Sequence, residues 1–233
     1  MPIKILCASH ISHSIKIKSL QQAVDSINNQ TLLPDLILIG LSIDEKIQFP
    51  KINSKVKLEI KYSEKKLYQF EHYKILFEEI QDDDLVMFID DDDLYYPDRV
   101  KIVNFYFKQG YDLIKSGIGV IGDRSCNCLL HLIKKYQKSP EILFLEGISE
   151  VHKPSEYVSK AYKGKLIRKF DYSVWDYTDE NRCKIFDLVF TCSVIPGKGI
   201  RYIDLPVITY LYRVYCKSVV SYSSVHRNVS VDS

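Results

Sequence analysis

The sequence lacks the glycine-rich signature of the P-loop proteins, because it contains no Gly-x-x-x-x-Gly-Lys-Ser/Thr. One Gly-x-Gly-x-x-Gly is present, at residues 117–122, but it lies at the end of the strand predicted at 111–121 and no helical pattern follows it. A dinucleotide fingerprint needs a strand before the glycines and a helix that opens with them, so neither a dinucleotide fingerprint nor a P-loop is predicted. No internal repeat is present either, which argues against a solenoid or a propeller.

Long apolar runs and a strong net charge are also missing. No stretch approaches the roughly 20 apolar residues that a membrane-spanning helix needs, and the apolar N-terminus is too short for a signal peptide. We therefore expect a soluble, cytoplasmic protein without a transmembrane segment. The formal net charge is +2, with Lys and Arg scattered along the chain, which argues against nucleic acid as a partner.

The cysteines do not form a metal-binding pattern. Cys126 and Cys128 are separated by one residue, and no second pair lies at zinc-knuckle spacing. The 6 cysteines of the chain are compatible with a reducing compartment, in which most of them serve as small core residues.

The most informative feature that is present is an acidic run at the end of an apolar run. Residues 85–89 are all apolar and predict a fully buried strand, and Asp90, Asp91, Asp92 and Asp93 follow directly. Carboxylates at such a position need a cation to neutralise them. If the backbone stays extended, Asp90 and Asp92 point the same way. Together they make a hard oxygen site for Mg²⁺ or Mn²⁺.

A solvated loop is the alternative interpretation of an acidic run. Residues 82–84 are also three aspartates, and for them we expect such a loop. Residues 90–93 differ because they follow five apolar residues and precede Pro97, which can open a helix. The metal site is therefore the favoured interpretation of the second run only.

The order of apolar patterns predicts an α/β protein. Strand and helix patterns alternate, which implies a parallel sheet with right-handed crossovers. Residues 139–181 show weak periodicity and are predicted to be short helices and loops. Strands are predicted at 3–8, 36–41, 56–62, 85–89, 111–121, 128–133, 201–203 and 206–214, and helices at 17–27, 68–80, 97–110 and 184–192.

Polar residues follow the first two predicted strands. Ser9 and His10 begin a predicted loop after the first strand, where an α/β sheet usually builds a ligand site. Asp44 ends the second strand and faces the same edge. Its carboxylate can accept a hydrogen bond from a nucleobase imide N–H or a ribose hydroxyl. A helix cap or a surface turn is the alternative for Asp44.

These patterns resemble the GT-A glycosyltransferases, specifically the family 2-like enzymes. Residues 88–99 are similar to that family's apolar strand, Asp-x-Asp-Asp and Pro motif, and residues 26–35 to its Gln-Thr-x-x-Pro segment. Residues 202–218 are similar to its closing segment. The resemblance implies a single GT-A domain over 1–218, with a mainly parallel central sheet flanked by helices. Its nucleotide-binding half is expected at 1–122, its acceptor half at 123–218 and a flexible tail at 219–233.

The resemblance also implies an activity. It is the metal-dependent transfer of a sugar, with inversion, from a nucleotide-diphosphate sugar to a hydroxyl of a glycan, lipid-linked or protein acceptor. Asp44 is implied to contact the base, and Asp90 the ribose or the metal shell, while Asp92 ligates Mn²⁺ or Mg²⁺ on the diphosphate. The implied donor-site residues are Ala8, Ser9, His10, Asp44, Asp90, Asp91 and Arg213.

The catalytic base is the least defined part of the resemblance. Asp187 stands where the family has the second residue of a Glu-Asp pair, but Phe186 replaces the first. Asp179 and Glu180 are an alternative acidic pair. The family's His after Tyr-Arg is Tyr215 here, so that segment is not expected to supply a further metal ligand.

Three other functions use similar features. Haloacid dehalogenase-type phosphatases carry an Asp-x-Asp-x-Thr/Val motif after an apolar strand, but here Leu94 occupies the Thr/Val position. Nucleotidyltransferases share the α/β layout and release diphosphate. A nucleotide-sugar binding domain without a base is the non-enzymatic alternative.

Overall fold

A computed structural model describes residues 1–122, 144–145, 148–151, 157–170 and 199–214. The predicted strand at 128–133, the helix at 184–192 and the tail at 219–233 lie outside these residues. The same holds for the three candidate bases, Asp179, Glu180 and Asp187.

The first half of the chain forms the predicted parallel sheet. Strands β3, β2, β1 and β4 lie side by side in that order, and each neighbouring pair is parallel. The elements are β1 (Ile3–Ile11), α1 (Ser14–Asn28), β2 (Leu36–Ile43), β3 (Leu58–Ser63), α2 (Gln69–Phe77) and β4 (Leu85–Asp90).

The central strands are almost continuously apolar because helices cover them. Met87 of β4 is fully buried, as are Leu20 on α1 and Tyr73 on α2. Both helices show the predicted stripe of buried residues at helical spacing. Cys7 of β1 is a buried free thiol, as a core cysteine should be.

The second half completes a mixed sheet. Strand β9 lies antiparallel between β4 and β6, and β10 pairs parallel with β6 and antiparallel with β5. A 3₁₀ turn covers Tyr157–Ser159. The elements are β5 (Leu94–Tyr95), α3 (Arg99–Lys108), β6 (Leu113–Gly122), β7 (Phe144–Leu145), β8 (Ile148–Val151), β9 (Lys160–Lys163), α4 (Gly164–Arg168) and β10 (Tyr202–Val214).

Several predicted boundaries were wrong. Strands β1 and β2 extend to Ile11 and Ile43 because these ends pair with each other, so Ser9 and His10 lie in a strand rather than in a loop. The described part of residues 139–181 contains strands, and two of them, β8 and β9, bond to strands distant in sequence. The two predicted closing strands are one strand, β10, whose register shifts between Leu205 and Tyr210.

The first acidic run is only partly a solvated loop. Asp82 and Asp83 are exposed, but Asp84 is 1% exposed. Its carboxylate accepts from Gln81 N and lies 2.7 Å from Lys4 Nζ. The prediction for Asp84 was therefore wrong, because a buried lysine from β1 neutralises it.

The α/β class, with a central sheet flanked by helices, is confirmed. In the part of the chain that the model describes, no helix combines the length and the apolar character needed to cross a membrane.

Candidate active site at the carboxyl edge of the sheet

Residues Asp90–Asp93, here called the acidic turn, lie at the carboxyl end of β4. Asp93 N donates to Asp90 O at 3.1 Å and closes the turn. The extended backbone therefore stops at Asp90. It follows that the turn, and not the alternation of a strand, sets the direction of Asp92.

Asp90 is held by groups from three other elements. Its Oδ1 accepts from Gln69 Nε2 at 3.0 Å and from the hydroxyl of Tyr157. Its backbone N–H donates to the Tyr210 hydroxyl at 3.1 Å. Tyr157 in turn contacts the Tyr73 hydroxyl at 3.2 Å. The first carboxylate of the turn is thus fixed by α2, the 3₁₀ turn and β10.

Asp91 is neutralised from the first strand and the first helix. Ser9 Oγ donates to Asp91 Oδ2 at 2.6 Å, and Lys16 Nζ lies 3.4 Å from the same oxygen. Burial by itself lowers the pKa of Lys16, but the carboxylates of Asp91 and Asp92 raise that pKa above its ordinary value. Lys16 therefore remains a cation beside the acidic turn.

Asp93 is a buried anchor of the turn. Its Oδ2 accepts from the Tyr210 hydroxyl at 2.6 Å, and its Oδ1 accepts from Arg213 N at 2.7 Å. Burial, with Asp90 and Asp92 nearby, raises the pKa of Asp93 well above its ordinary value. With no exposed surface, Asp93 ties the turn to β10 and does not face a ligand.

Asp92 differs from its three neighbours. It is partly exposed, and among the described residues no other side chain bonds or ion-pairs to its carboxylate. Burial and the charge of Asp91 raise the pKa of Asp92 to about 6, although Lys16 and Arg213 act in the opposite direction. An additional cation at this carboxylate would relieve that unfavourable charge.

The acidic turn fits an open type of metal site. Within the described ranges, no group of three or more His, Cys, Asp or Glu side chains could enclose an ion. Mg²⁺ and similar ions, however, are usually held by one or two protein carboxylates together with substrate phosphates. Asp92, with Asp90 at the start of the same turn, is the candidate for that donor set.

The other predicted donor-site residues lie at the same sheet edge. Ala8 is in register with Asp90, and His10 Nε2 lies 3.2 Å from Oδ1 of Asp44, whose side chain is 49% exposed. Lys16 contacts Asp91. Burial lowers the pKa of His10, and the charge of Lys16 acts in the same direction. The carboxyl ends of β1, β2 and β4 are therefore neighbours, as parallel strands require.

Arg213 reaches the acidic turn from β10. Its backbone N–H bonds Asp93, and its guanidinium donates to Gln22 on α1. Its charge lowers the pKa of Asp92. All the predicted donor-site residues thus lie at the carboxyl edge of the sheet.

Sequence reasoning missed four residues of this site. Lys16, Gln69, Tyr157 and Tyr210 hold the acidic turn, yet only Lys16 had a local signal, as a basic residue just after the first strand. The other three lie 21, 67 and 120 residues from Asp90 in sequence. Only the folded chain brings them to the site.

Comparisons with known proteins show a shared fold. No family model and no curated protein sequence matches the chain. Among solved structures it is similar to S. aureus TarS, with a TM-score of 0.57, 13% identity and coverage of 92% of this chain and 37% of that chain. For TarS 1–349 in complex with UDP the TM-score is 0.55 and the identity 13%, with coverage of 92% of this chain and 61% of that chain. For TarS 1–349 in complex with UDP-GlcNAc the TM-score is 0.57 and the identity 12%, with coverage of 92% of this chain and 59% of that chain.

The chain therefore spans less than two thirds of the solved chains that it matches. At this identity, the likeness establishes the fold and not the activity. The GT-A-like fold implied by the sequence resemblance is confirmed.

Proposed function

We propose that this chain binds a nucleotide-diphosphate sugar at the carboxyl edge of its sheet and transfers the sugar to an acceptor hydroxyl. Asp92 carries the proposal, because it is an unneutralised carboxylate in a turn whose other members are fixed by neighbours. The fold supports it, since TarS, which shares the fold, has been crystallised with UDP and UDP-GlcNAc.

Asp92 and Asp90 are the residues that would hold Mn²⁺ or Mg²⁺. The ion, when bound, supplies positive charge to the diphosphate leaving group. Ser9 keeps Asp91 directed into the protein, so that the turn presents Asp92 outward. Lys16 and Arg213 contribute positive charge at the same edge and favour an anionic donor.

His10 and Asp44 form the nucleoside end of the proposed site. Asp44 accepts a hydrogen bond from an imide N–H of the base. The acceptor is a glycan, a lipid-linked group or a protein. An acidic residue takes the proton of its hydroxyl as the oxygen attacks the anomeric carbon, with inversion. Asp187, Asp179 and Glu180 are the candidates for this base.

Phosphatase chemistry is less well supported. A haloacid dehalogenase-type mechanism needs Asp90 as its nucleophile. Asp90 Oδ1 already accepts hydrogen bonds from Gln69 and Tyr157, and hydrogen-bonded carboxylate oxygens are weaker nucleophiles. The held geometry of Asp90 suits a positioning role better.

Titration calorimetry with UDP tests the binding step. We expect UDP to bind wild-type protein with Mn²⁺, and to bind at least about tenfold more weakly in EDTA or in Asp92→Asn. Asp83→Asn is the matched control, because it removes the same charge from a side chain that is 81% exposed. Equal UDP affinity with and without the metal contradicts the role given to Asp92.

Product analysis distinguishes the enzymatic alternatives. UDP released from a UDP-sugar indicates a glycosyltransferase, diphosphate a nucleotidyltransferase and inorganic phosphate from a simple ester a phosphatase. Donor binding without turnover indicates a binding domain. If Asp187→Ala and Asp179→Ala both leave turnover unchanged, neither of these residues is the base.

A further inference from the structure

Four polar side chains form a line from the protein interior to the proposed nucleoside pocket. His72 Nε2 lies 3.0 Å from Ser42 Oγ, and Ser42 Oγ lies 3.0 Å from His10 Nδ1. His10 Nε2 lies 3.2 Å from Asp44 Oδ1. His72 and Ser42 are buried, whereas Asp44 is exposed.

The proton count of Ser42 gives this line a direction. A hydroxyl has one proton to donate, so Ser42 can donate to only one of the two imidazoles. Leu67 N, at 3.4 Å, also donates to Ser42 Oγ. One imidazole nitrogen must therefore carry a proton toward Ser42 while the other accepts from it.

The surroundings of both histidines favour one of the two arrangements. If Ser42 donated to His72, the proton of His72 would sit on Nδ1, which is buried without a partner among the described residues. His10 would then turn a lone pair toward the Asp44 carboxylate. If Ser42 donates to His10, no N–H is left on His72 Nδ1, and an orphaned buried N–H is costly. His10 Nε2 then carries its proton toward Asp44 Oδ1, which lies 3.2 Å away without forming an aligned hydrogen bond, and the lone pair no longer faces the carboxylate.

Gly40 leaves room for the His72 ring beside β2. A Cβ built on Gly40 would lie 2.8 Å from His72 Cβ and 2.9 Å from His72 Nδ1. A larger residue at position 40 would therefore push against the ring that contacts Ser42.

Both rings are neutral near pH 7, as this arrangement requires. Burial, and then His10, lower the pKa of His72 to about 4. Burial and the charge of Lys66 lower the pKa of His10, against the opposing effect of Asp44, and Lys16 lowers it further.

We propose that Ser42 and His72 are positioning residues that hold His10 as its Nε2–H tautomer, with this N–H presented to Asp44 Oδ1. Asp44 Oδ2 has no bonding partner among the described residues and is left to accept the imide N–H of a base. The base-binding role rests on the proposed function. It goes beyond that function by assigning two buried residues and a proton order to the nucleoside subsite.

Imidazole NMR of the free protein tests the proton order without any ligand. Long-range ¹H–¹⁵N spectra of labelled protein at neutral pH distinguish Nδ1–H from Nε2–H rings. The chain has 6 histidines. The signals that disappear in His10→Gln and in His72→Gln identify the two rings of interest. We expect both rings as Nε2–H in the wild type. Finding His10 as Nδ1–H overturns the proposal.

Ser42→Ala removes the hydroxyl that fixes the His10 tautomer. We expect a mixture of His10 tautomers and about three- to tenfold weaker UDP binding with Mn²⁺. Ser42→Thr keeps a hydroxyl and should restore both readouts. Ser63→Ala is the matched control, since Ser63 is the β3 partner of Ser42 and its hydroxyl bonds only Lys65 within the described ranges. Thermal unfolding checks that each variant is folded.

The outcomes separate the two proposals. An unchanged His10 tautomer in folded Ser42→Ala overturns the positioning role. Wild-type protein that shows the expected tautomers but does not bind UDP overturns the proposed function, and with it the role of this line of residues in base binding.

Discussion

Replacing Asp92 by Asn should stabilise the ligand-free protein. The pKa of Asp92 is raised from 3.8 to about 6, so at pH 7 the folded state carries a carboxylate that it disfavours. A difference of about two pH units corresponds to about 3 kcal/mol. We reduce this to about 2 kcal/mol, because Asp92 is partly exposed and solvent screens its charge. For a chain of this size the melting temperature should rise by about 4–8 °C.

The sign of the pH dependence follows from the raised pKa. Above pH 6 the charged form is present and the penalty is complete. As the pH falls through 6 toward 3.8, folded Asp92 takes up a proton and the penalty is lost. The advantage of Asp92→Asn should therefore be largest at pH 7–8 and should disappear below about pH 4, where Asp92 is protonated in both states.

Differential scanning fluorimetry across this pH range, with and without Mn²⁺ and UDP, is the assay. Asp83→Asn controls for loss of one negative charge and should change the melting temperature little. With Mn²⁺ and UDP the wild type should gain stability and Asp92→Asn should not, because a ligand stabilises the state that it binds. Most substitutions destabilise a protein, so a higher melting temperature distinguishes the removal of an unfavourable charge from an ordinary substitution. If Asp92→Asn melts at or below the wild-type temperature at pH 7, the reasoning is refuted.

Two further predictions concern Gln30, which bonds the chain that follows the acidic turn, and Gly164, which packs against the chain just before β4. Gln30→Ala should lower the free energy of unfolding in urea by about 2–3 kcal/mol, because Gln30 bonds Tyr96 O and Val100 N. Gln48→Ala, at an exposed position, is the control. Equal urea midpoints for the two variants would contradict this prediction. Gly164→Ala should cost at least about 3 kcal/mol or prevent folding, since its Cβ would lie 1.8 Å from a backbone oxygen of Gln81. A Cβ at Gly199 would meet open space, and only its φ of +91° is unfavourable for alanine. Gly199→Ala should therefore lower the free energy of unfolding by only about 1–2 kcal/mol. Similar losses for the two glycine variants would show that the clash at Gly164 relaxes.

Gln30 also shows how far a sequence motif can be explained physically. It belongs to the Gln-Thr-x-x-Pro segment, whose sequence resembles a family pattern but by itself assigns Gln30 no role. In the fold its amide bonds Tyr96 O and Val100 N, on either side of Pro97. Thr31 N bonds Pro97 O in the same segment. The motif therefore fixes the chain that leaves the acidic turn.

Local pattern was sufficient to predict the first half of the fold. The apolar runs of β1, β2 and β4 and the helical spacing of α1 and α2 are properties of neighbouring residues. They predicted a parallel sheet with the acidic turn at its carboxyl edge. They could not predict β9, because its partners in β4 and β6 lie far away in sequence.

The four aspartates of the acidic turn show the same division. Their sequence alone determined that negative charge collects at the end of a buried strand, and it predicted a cation there. Only the tertiary structure decided which carboxylates have protein partners: Ser9 engages Asp91 from 82 residues away, and Tyr210 engages Asp93 from 117 residues away. The carboxylates of Asp91 and Asp93 have these partners because the order of strands in the sheet places Ser9 and Tyr210 beside them. Residue spacing along the chain does not encode that order, so it could not distinguish Asp92 from its neighbours.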